Sequence, residues 1–124
     1  MLGSSDLVGF VATTDLARAR SFYGDVLGLE HVDESPVAHV FNANGTALRV
    51  TLVDHATTAP YTVLGWSVVD IEEAIRSLEE KGVSFERFPE MNQDDLGVWT
   101  TPGGDRVAWF KDPDGNVISV TQRR

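Results

Sequence analysis

The sequence predicts an α+β fold built from two βαβββ modules. Two segments have helical periodicity, and each is preceded and followed by segments that alternate or are rich in β-branched residues. The order of one strand, one helix and then three or four strands occurs twice, which indicates an internal duplication. A module of roughly 55 residues cannot bury its sheet and helix alone, so we expect the two modules to close on each other.

Both predicted helices have clear starts and stops. The first begins after Asp15 and ends at Gly28, because apolar residues recur between them every three or four positions. The second begins after Asp70 and ends at Gly82 for the same reason. Each Asp is a candidate N-cap, because its carboxylate can accept the free amide hydrogens of the first turn.

The remaining segments predict strands joined by turns. Runs rich in Asn, Asp, Pro and Gly at 42–45, 102–104 and 112–115 are typical of hairpin loops. The strands are expected at 7–13, 29–33, 37–42, 47–53, 63–69, 84–88, 97–101, 106–111 and 117–121.

Length and composition favour one domain. The chain has 124 residues, of which 42% are hydrophobic, and this suits a single core. We expect residues 1–124 to form that domain, with module one at about 6–54, a connector at 55–61 and module two at about 62–122.

The charge excludes two classes of partner. With 19 acidic and 10 basic residues, the net charge is −9, so nucleic acid and anionic membranes would be repelled. The absence of cysteine excludes disulfides and thiolate metal sites. The sequence contains no signal peptide and no membrane span of about 18 apolar residues, so a cytoplasmic location is expected.

Two stretches carry a family resemblance. Residues 15–29, DLARARSFYGDVLGL, and residues 108–118, AWFKDPDGNVI, resemble the vicinal oxygen chelate superfamily, which includes glyoxalase I, bleomycin-resistance proteins and extradiol dioxygenases. The resemblance implies that the paired modules form a concave mixed sheet. It indicates the fold more strongly than the chemistry, because this fold supports lyases, isomerases, dioxygenases and binding proteins.

The resemblance also locates the metal ligands of the family's enzymes. The matching positions are Val8 and Leu64 in the first strand of each module, and Arg49 and Ser119 in the last. Alkyl groups, a guanidinium and a neutral hydroxyl cannot replace imidazole and carboxylate donors. We therefore expect the protein to hold no metal and no other cofactor.

Strand alternation predicts a ligand-binding surface instead. Apolar residues such as Leu48, Val50 and Ile118 are expected under the helices, which puts their strand neighbours on the concave face. An apolar and aromatic wall with hydroxyls and one positive charge would suit a planar organic ligand with an anionic group. The candidate residues are Val8, Phe10, Ala12, Arg49, Thr51, Leu64, Trp66, Val68, Ser119 and Thr121.

Several of these candidates have a purely structural alternative. Arg49 can instead pair with one of the chain's own carboxylates, and Phe10 and Trp66 can belong to the core. Trp99 and Trp109 can form a stacking lid for a ligand, but periodicity does not fix which way they face.

The three histidines, His31, His39 and His55, form no metal-binding motif. We interpret each as a surface or structurally satisfied residue. His39 alternates with Val40 in a strand, so it can face the concave surface and supply a ligand or a base.

The function that these observations favour is metal-free binding of a small aromatic or amphipathic organic molecule, as in the bleomycin-resistance proteins. The alternative is a glyoxalase- or dioxygenase-type enzyme that uses unexpected ligands such as His39 or no metal. A third hypothesis is a regulatory or assembly role without a ligand. Members of the family commonly dimerise, so the resemblance also implies a homodimer.

Overall fold

Two units, Met1–Thr57 and Thr58–Arg124, make up the computed structural model, which describes residues 1–124. In each unit a helix packs against one face of a four-stranded mixed sheet. No helix of the chain is both long and apolar enough to cross a membrane.

The first unit has the strand order β1-β4-β3-β2, in which β1 and β4 are parallel and the other neighbours antiparallel. A short 3₁₀ turn, Leu2–Ser4, precedes the sheet. The elements are β1 (Val8–Thr13), α1 (Leu16–Arg20), a π-helical segment (Ser21–Val26), β2 (Glu30–Ser35), β3 (Ala38–Ala43) and β4 (Thr46–Leu52).

The second unit repeats this plan with the strand order β5-β8-β7-β6, and β5 is parallel to β8. The predicted α+β fold of duplicated βαβββ modules is therefore confirmed. The elements are β5 (Thr62–Ser67), α2 (Ile71–Glu80), β6 (Trp99–Thr100), β7 (Arg106–Lys111) and β8 (Val117–Gln122).

The predicted N-caps are confirmed. Asp15 accepts a hydrogen bond from the Arg18 amide at 3.0 Å, and Asp70 accepts one from the Glu73 amide at 3.2 Å. At the helix ends, Gly28 and Gly82 have φ of 76° and 92°, a left-handed conformation that glycine adopts without strain.

The first helix does not remain α-helical as predicted. From Ser21 it widens into a π-helical segment, in which the Leu27 amide bonds the Phe22 carbonyl five residues earlier at 2.9 Å. Phe22 and Tyr23 are 9% and 1% exposed there. The packing of these two consecutive aromatic residues is a tertiary effect that the 3.6-residue period cannot reveal.

The covered faces of the two sheets are those that alternation predicts. Leu48 and Val50 are 2% and 0% exposed on the α1 side of the first sheet, and Ile118 and Val120 are 0% and 3% exposed in the second. Ile75 of α2 is fully buried. This alternation leaves the other face of each sheet available for function.

The predicted strand at 84–88 is wrong. Only Phe85 forms a bridge, to Phe110, while the Gln93 side chain bonds the Phe88 amide and the Glu86 carbonyl at 2.8 and 3.0 Å. The Gln93 side chain thus forms hydrogen bonds with backbone groups that would otherwise bond a neighbouring strand. Pro89 follows directly and cannot donate to a ladder.

Candidate ligand-binding site

Five predicted site residues lie together on the face of the first sheet opposite α1, which we call the first open face. Phe10 is the register partner of Arg49, and Ala12 is the partner of Thr51, so each pair points to the same side. Val8 and Phe10 are 44% and 65% exposed, whereas Val11, on the other face, is 6% exposed. The structure therefore places Val8, Phe10, Ala12, Arg49 and Thr51 where alternation predicts them.

The side chain of Arg49 has no partner within the chain. Arg49 is half-buried in the middle of β4, yet its guanidinium makes no hydrogen bond and no ion pair with any residue. Arg20, Arg76 and Arg106 by contrast each lie within 4 Å of a carboxylate oxygen. The alternative that Arg49 serves an internal carboxylate therefore finds no support.

Thr51 adds a second unsatisfied group to the same face. Its Oγ1 atom is buried and has no hydrogen-bond partner. Thr51 lies two residues from Arg49, roughly 6.6 Å along the strand. Buried polar atoms are rarely left without a partner, so this hydroxyl is a second group on the face that the chain itself leaves unsatisfied.

The second sheet also has an open face, opposite α2, and the structure fixes how the two uncertain tryptophans are oriented. Trp109 is the register partner of Ser119, and Val107 is the partner of both Trp99 and Thr121. Trp99, Trp109, Ser119 and Thr121 therefore share what we call the second open face. A groove of about 280 Å³ borders Trp99.

The aromatic rings on the second open face contact one another. The ring centroids of Trp99 and Trp109 are 6.3 Å apart, and Phe88 meets Trp109 edge to face at 5.5 Å. The Trp109 indole also donates a hydrogen bond to Thr62 Oγ1 at 3.0 Å. These contacts hold Trp109 in one orientation with its ring on the open face.

Two predicted site residues, Leu64 and Trp66, lie on the wrong face. Leu64 is the register partner of the buried Ile118, and Trp66 is the partner of the buried Val120, so both belong to the side covered by α2. Counted at equal distance from the caps Asp15 and Asp70, Trp66 matches the buried Val11, so the predicted phase of β5 is off by one residue. A bulge at Val63 puts Thr62 on the face opposite to Leu64. Val68 lies one residue beyond the end of β5, although its amide still donates a hydrogen bond to the Thr121 carbonyl at 2.8 Å.

Gly65 takes the place on the second open face that Trp66 was predicted to fill. It is the register partner of Ser119, and a Cβ atom at Gly65 would lie 2.6 Å from Ser119 Oγ. The sheet surface at this point is therefore bare backbone beside a hydroxyl.

The residues at the family's metal-ligand positions do not fit a metal. Val8 and Arg49 lie on the first open face and Ser119 on the second, but Leu64 faces the helix. Replacing Leu64 by its correctly oriented neighbour Gly65 supplies no donor side chain. None of these positions offers an imidazole or a carboxylate.

His39 does not face the concave surface, an orientation that strand alternation had left open. His39 is the register partner of Val50, lies with it on the side of α1 and is 7% exposed. Burial, reinforced by the neighbouring His31, lowers the pKa of His39 below the usual value for histidine. His55, in the connector between the units, is exposed.

Sequence reasoning missed the pairing of His31 with His39. His31 Nε2 and His39 Nδ1 are 2.9 Å apart, and Glu34 lies close to both rings. A signal was present, because a two-residue turn at Pro36 and Val37 places Glu34 opposite His39 in a hairpin. The face on which His31 lies depends on a second bulge, in β2, for which the sequence gives no local sign.

Comparisons with known proteins agree with the observed fold. A model of the Glyoxalase/Bleomycin resistance protein/Dioxygenase superfamily matches residues 6–120. A solved member of that superfamily from Sphaerobacter thermophilus DSM 20745 is 26% identical, with a TM-score of 0.73 and coverage of 99% of this chain and 100% of that chain.

Two further structures share the fold at lower identity. Lactoylglutathione lyase from Agrobacterium tumefaciens is 21% identical, with a TM-score of 0.74 and coverage of 96% of this chain and 93% of that one. TioX from Micromonospora sp. ML1 is 20% identical, with a TM-score of 0.73 and coverage of 98% and 100%. No curated protein matches the chain.

Proposed function

The chain belongs to the Glyoxalase/Bleomycin resistance protein/Dioxygenase superfamily, and from this premise we propose that it binds a small aromatic or amphipathic organic molecule with an anionic group, without a metal ion at the binding face. The role would be capture of the molecule, like that of the bleomycin-resistance proteins for which the family is partly named. The observation that carries this proposal is the unpartnered, half-buried Arg49.

The charge of the chain makes this observation informative. With a net charge of −9, the protein has many carboxylates that could neutralise a guanidinium, yet none does so at Arg49. A partly desolvated cation without a partner is unfavourable. A carboxylate, sulfonate or phosphate on a ligand would relieve this cost through charge-assisted hydrogen bonds.

The surroundings of Arg49 favour an aromatic ligand body. Phe10 is 65% exposed and lies beside Arg49 on the neighbouring strand, about 4.8 Å away. A planar ligand can therefore stack on the Phe10 ring while its anionic group meets the guanidinium. In the second unit, Trp99 and Trp109 supply aromatic surface beside the hydroxyls of Ser119 and Thr121, and we assign these residues to ligand binding as well.

The site is better suited to binding than to catalysis. The candidate residues on the two open faces are apolar, aromatic or hydroxylic, with one arginine, and include no imidazole or carboxylate to act as a general base. His39, which the enzyme alternative named as one example of an unexpected ligand, lies under α1 and away from both open faces. No observation favours the regulatory alternative.

The proposal can be tested by calorimetric titration with a panel of small aromatic carboxylates and anionic antibiotics. For each compound that binds, Arg49→Ala should reduce the binding free energy by about 1.5–3 kcal/mol, or the affinity roughly 10- to 150-fold. This is the usual loss for a hydrogen bond to a charged group. Arg49→Lys keeps the charge but loses the planar fork, so it should retain part of the affinity.

Arg76→Ala provides the matched control. Arg76 is an exposed arginine of α2 that pairs with Glu72 at 3.7 Å, so its loss changes the net charge equally but leaves the open faces intact. If Arg49→Ala binds every hit as tightly as Arg76→Ala does, the proposed anion site is wrong.

We also propose that the protein is a homodimer. Val8 and Phe10 expose apolar surface on the first open face, and a second copy of the chain is the simplest partner for it.

A further inference from the structure

We propose that His31, Glu34 and His39 form a binding site for a divalent transition-metal ion such as Zn²⁺. One ligand atom from each residue lies within 4.8 Å of the other two. The cluster lies on the side of the first sheet that α1 covers, opposite Arg49, and involves none of the residues of the proposed ligand site. The inference therefore goes beyond the proposed function.

A bulge in β2 assembles the three side chains. Residues three apart in a regular strand point to opposite faces, so His31 and Glu34 would normally be separated by the sheet. The pairing of β2 with β3 skips Val32, so that His31 lies opposite Phe41 and Glu34 lies opposite His39. All three potential ligands consequently reach the same face, and β-bulges commonly redirect a side chain in this way.

The donor set matches zinc chemistry. Two imidazoles and one carboxylate are a known protein ligand set for Zn²⁺ and leave at least one position open to water. Metal-bound nitrogens at about 2.1 Å in a tetrahedral arrangement are roughly 3.4 Å apart. The two ring nitrogens, now 2.9 Å apart, need to separate by only about half an ångström.

A path from solvent leads to the cluster. A groove of about 390 Å³ runs between the π-helical segment and His31, and Arg20 and Asp25 also line it. Arg20 lies 3.9 Å from Glu34, but both side chains are more than half exposed, so this contact is weak and a metal ion can displace it. The Glu34 carboxylate is therefore available as the third ligand.

Zinc titration against a chromogenic competitor, after dialysis of the protein with a chelator, tests the site. We expect one Zn²⁺ per chain, and His31→Gln and Glu34→Gln should each lower the affinity at least about tenfold, since even outer-shell changes at metal sites cost this much. His55→Gln and Glu30→Gln are matched controls: His55 lies in the exposed connector, and Glu30 is in β2 but bonds Asn42 instead. Both controls should bind Zn²⁺ like the parent.

Two further measurements guard against misfolding and adventitious binding. Zn²⁺ should raise the melting temperature of the parent but not of the His31→Gln, Glu34→Gln double variant, whose circular dichroism spectrum should be that of the parent. Co²⁺ should give visible d–d bands that the double variant lacks. The inference is overturned if the parent binds no stoichiometric metal, or if the double variant binds Zn²⁺ as tightly as the parent.

Zinc binding can be tested independently of the binding of the aromatic ligand. Chelator treatment and His31→Gln should leave the calorimetric affinity for aromatic carboxylates unchanged, and Arg49→Ala should leave zinc binding unchanged. If the parent protein shows only one of the two binding activities, the proposal for the other activity has failed.

Discussion

Asp112 and Arg49 show two opposite ways in which this chain holds a charged side chain. The Asp112 carboxylate is 5% exposed and accepts hydrogen bonds from the amides of Asp114 and Asn116 at 3.0 and 2.9 Å and from the Asn116 side chain at 2.8 Å. These bonds close the loop between β7 and β8. The Arg49 side chain has no such internal partners, and for this reason we propose that it binds a ligand, whereas Asp112 has a structural role.

We predict that Asp112→Ala destabilises the protein by about 2–4 kcal/mol, because it leaves several buried donors unsatisfied. Asp54→Ala removes an equal charge at an exposed position just before the connector, and should change the free energy of unfolding by less than about 0.5 kcal/mol. Urea denaturation measures both values. Equal effects of the two substitutions would mean that the loop does not depend on the carboxylate.

At the scale of elements, the sequence predicts what local chemistry dictates. The caps at Asp15 and Asp70 and the helix ends at Gly28 and Gly82 were predictable, because each depends on neighbouring residues alone. Alternation likewise predicted the open face of β1 and β4. In such regular strands, the face on which each side chain lies follows from the alternation of the residues themselves.

Bulges explain most of what the sequence did not reveal. A single extra residue, Val63 in β5 or Val32 in β2, reverses the face of every later residue in its strand. Neither position carries a Gly or another local signal, because each bulge depends on how its strand pairs with the neighbouring strand of the sheet. The meeting of His31 with Glu34 was therefore beyond sequence reasoning. The orientation of Trp66 was not, because Trp66 lies four residues before its helix cap, as the buried Val11 does in the first unit.

The corrected orientation of β5 can be checked with two neighbouring substitutions. Leu64→Ser should cost about 1–2 kcal/mol of stability, because Leu64 packs on the covered face beside Ile118. Val63→Ser, at a residue that is 42% exposed, should cost less than about 0.5 kcal/mol. Thermal and urea unfolding give the comparison, and the reverse order of the two costs would restore the original prediction for this strand.

At the scale of the whole molecule, apolar surface and net charge act against each other. Val8 and Phe10 favour association with a second copy, whereas each chain has a net charge of −9 and would repel that copy. Added salt screens this repulsion, since the Debye length falls from about 10 Å at 0.1 M to about 3 Å at 1 M ionic strength. Self-association should therefore become stronger with salt, unlike binding that depends on an ion pair.

We predict that light scattering at micromolar concentration gives twice the chain mass of 13.6 kDa, and that the dimer fraction rises with ionic strength. Phe10→Asp places a further negative charge on the apolar surface and should shift the protein toward the monomer. Val69→Asp adds the same charge at a residue that is 96% exposed and lies outside the open faces, so it should leave the dimer intact. A monomeric mass at all salt concentrations would rule out the homodimer, and the apolar residues of the first open face would then be available to the organic ligand alone.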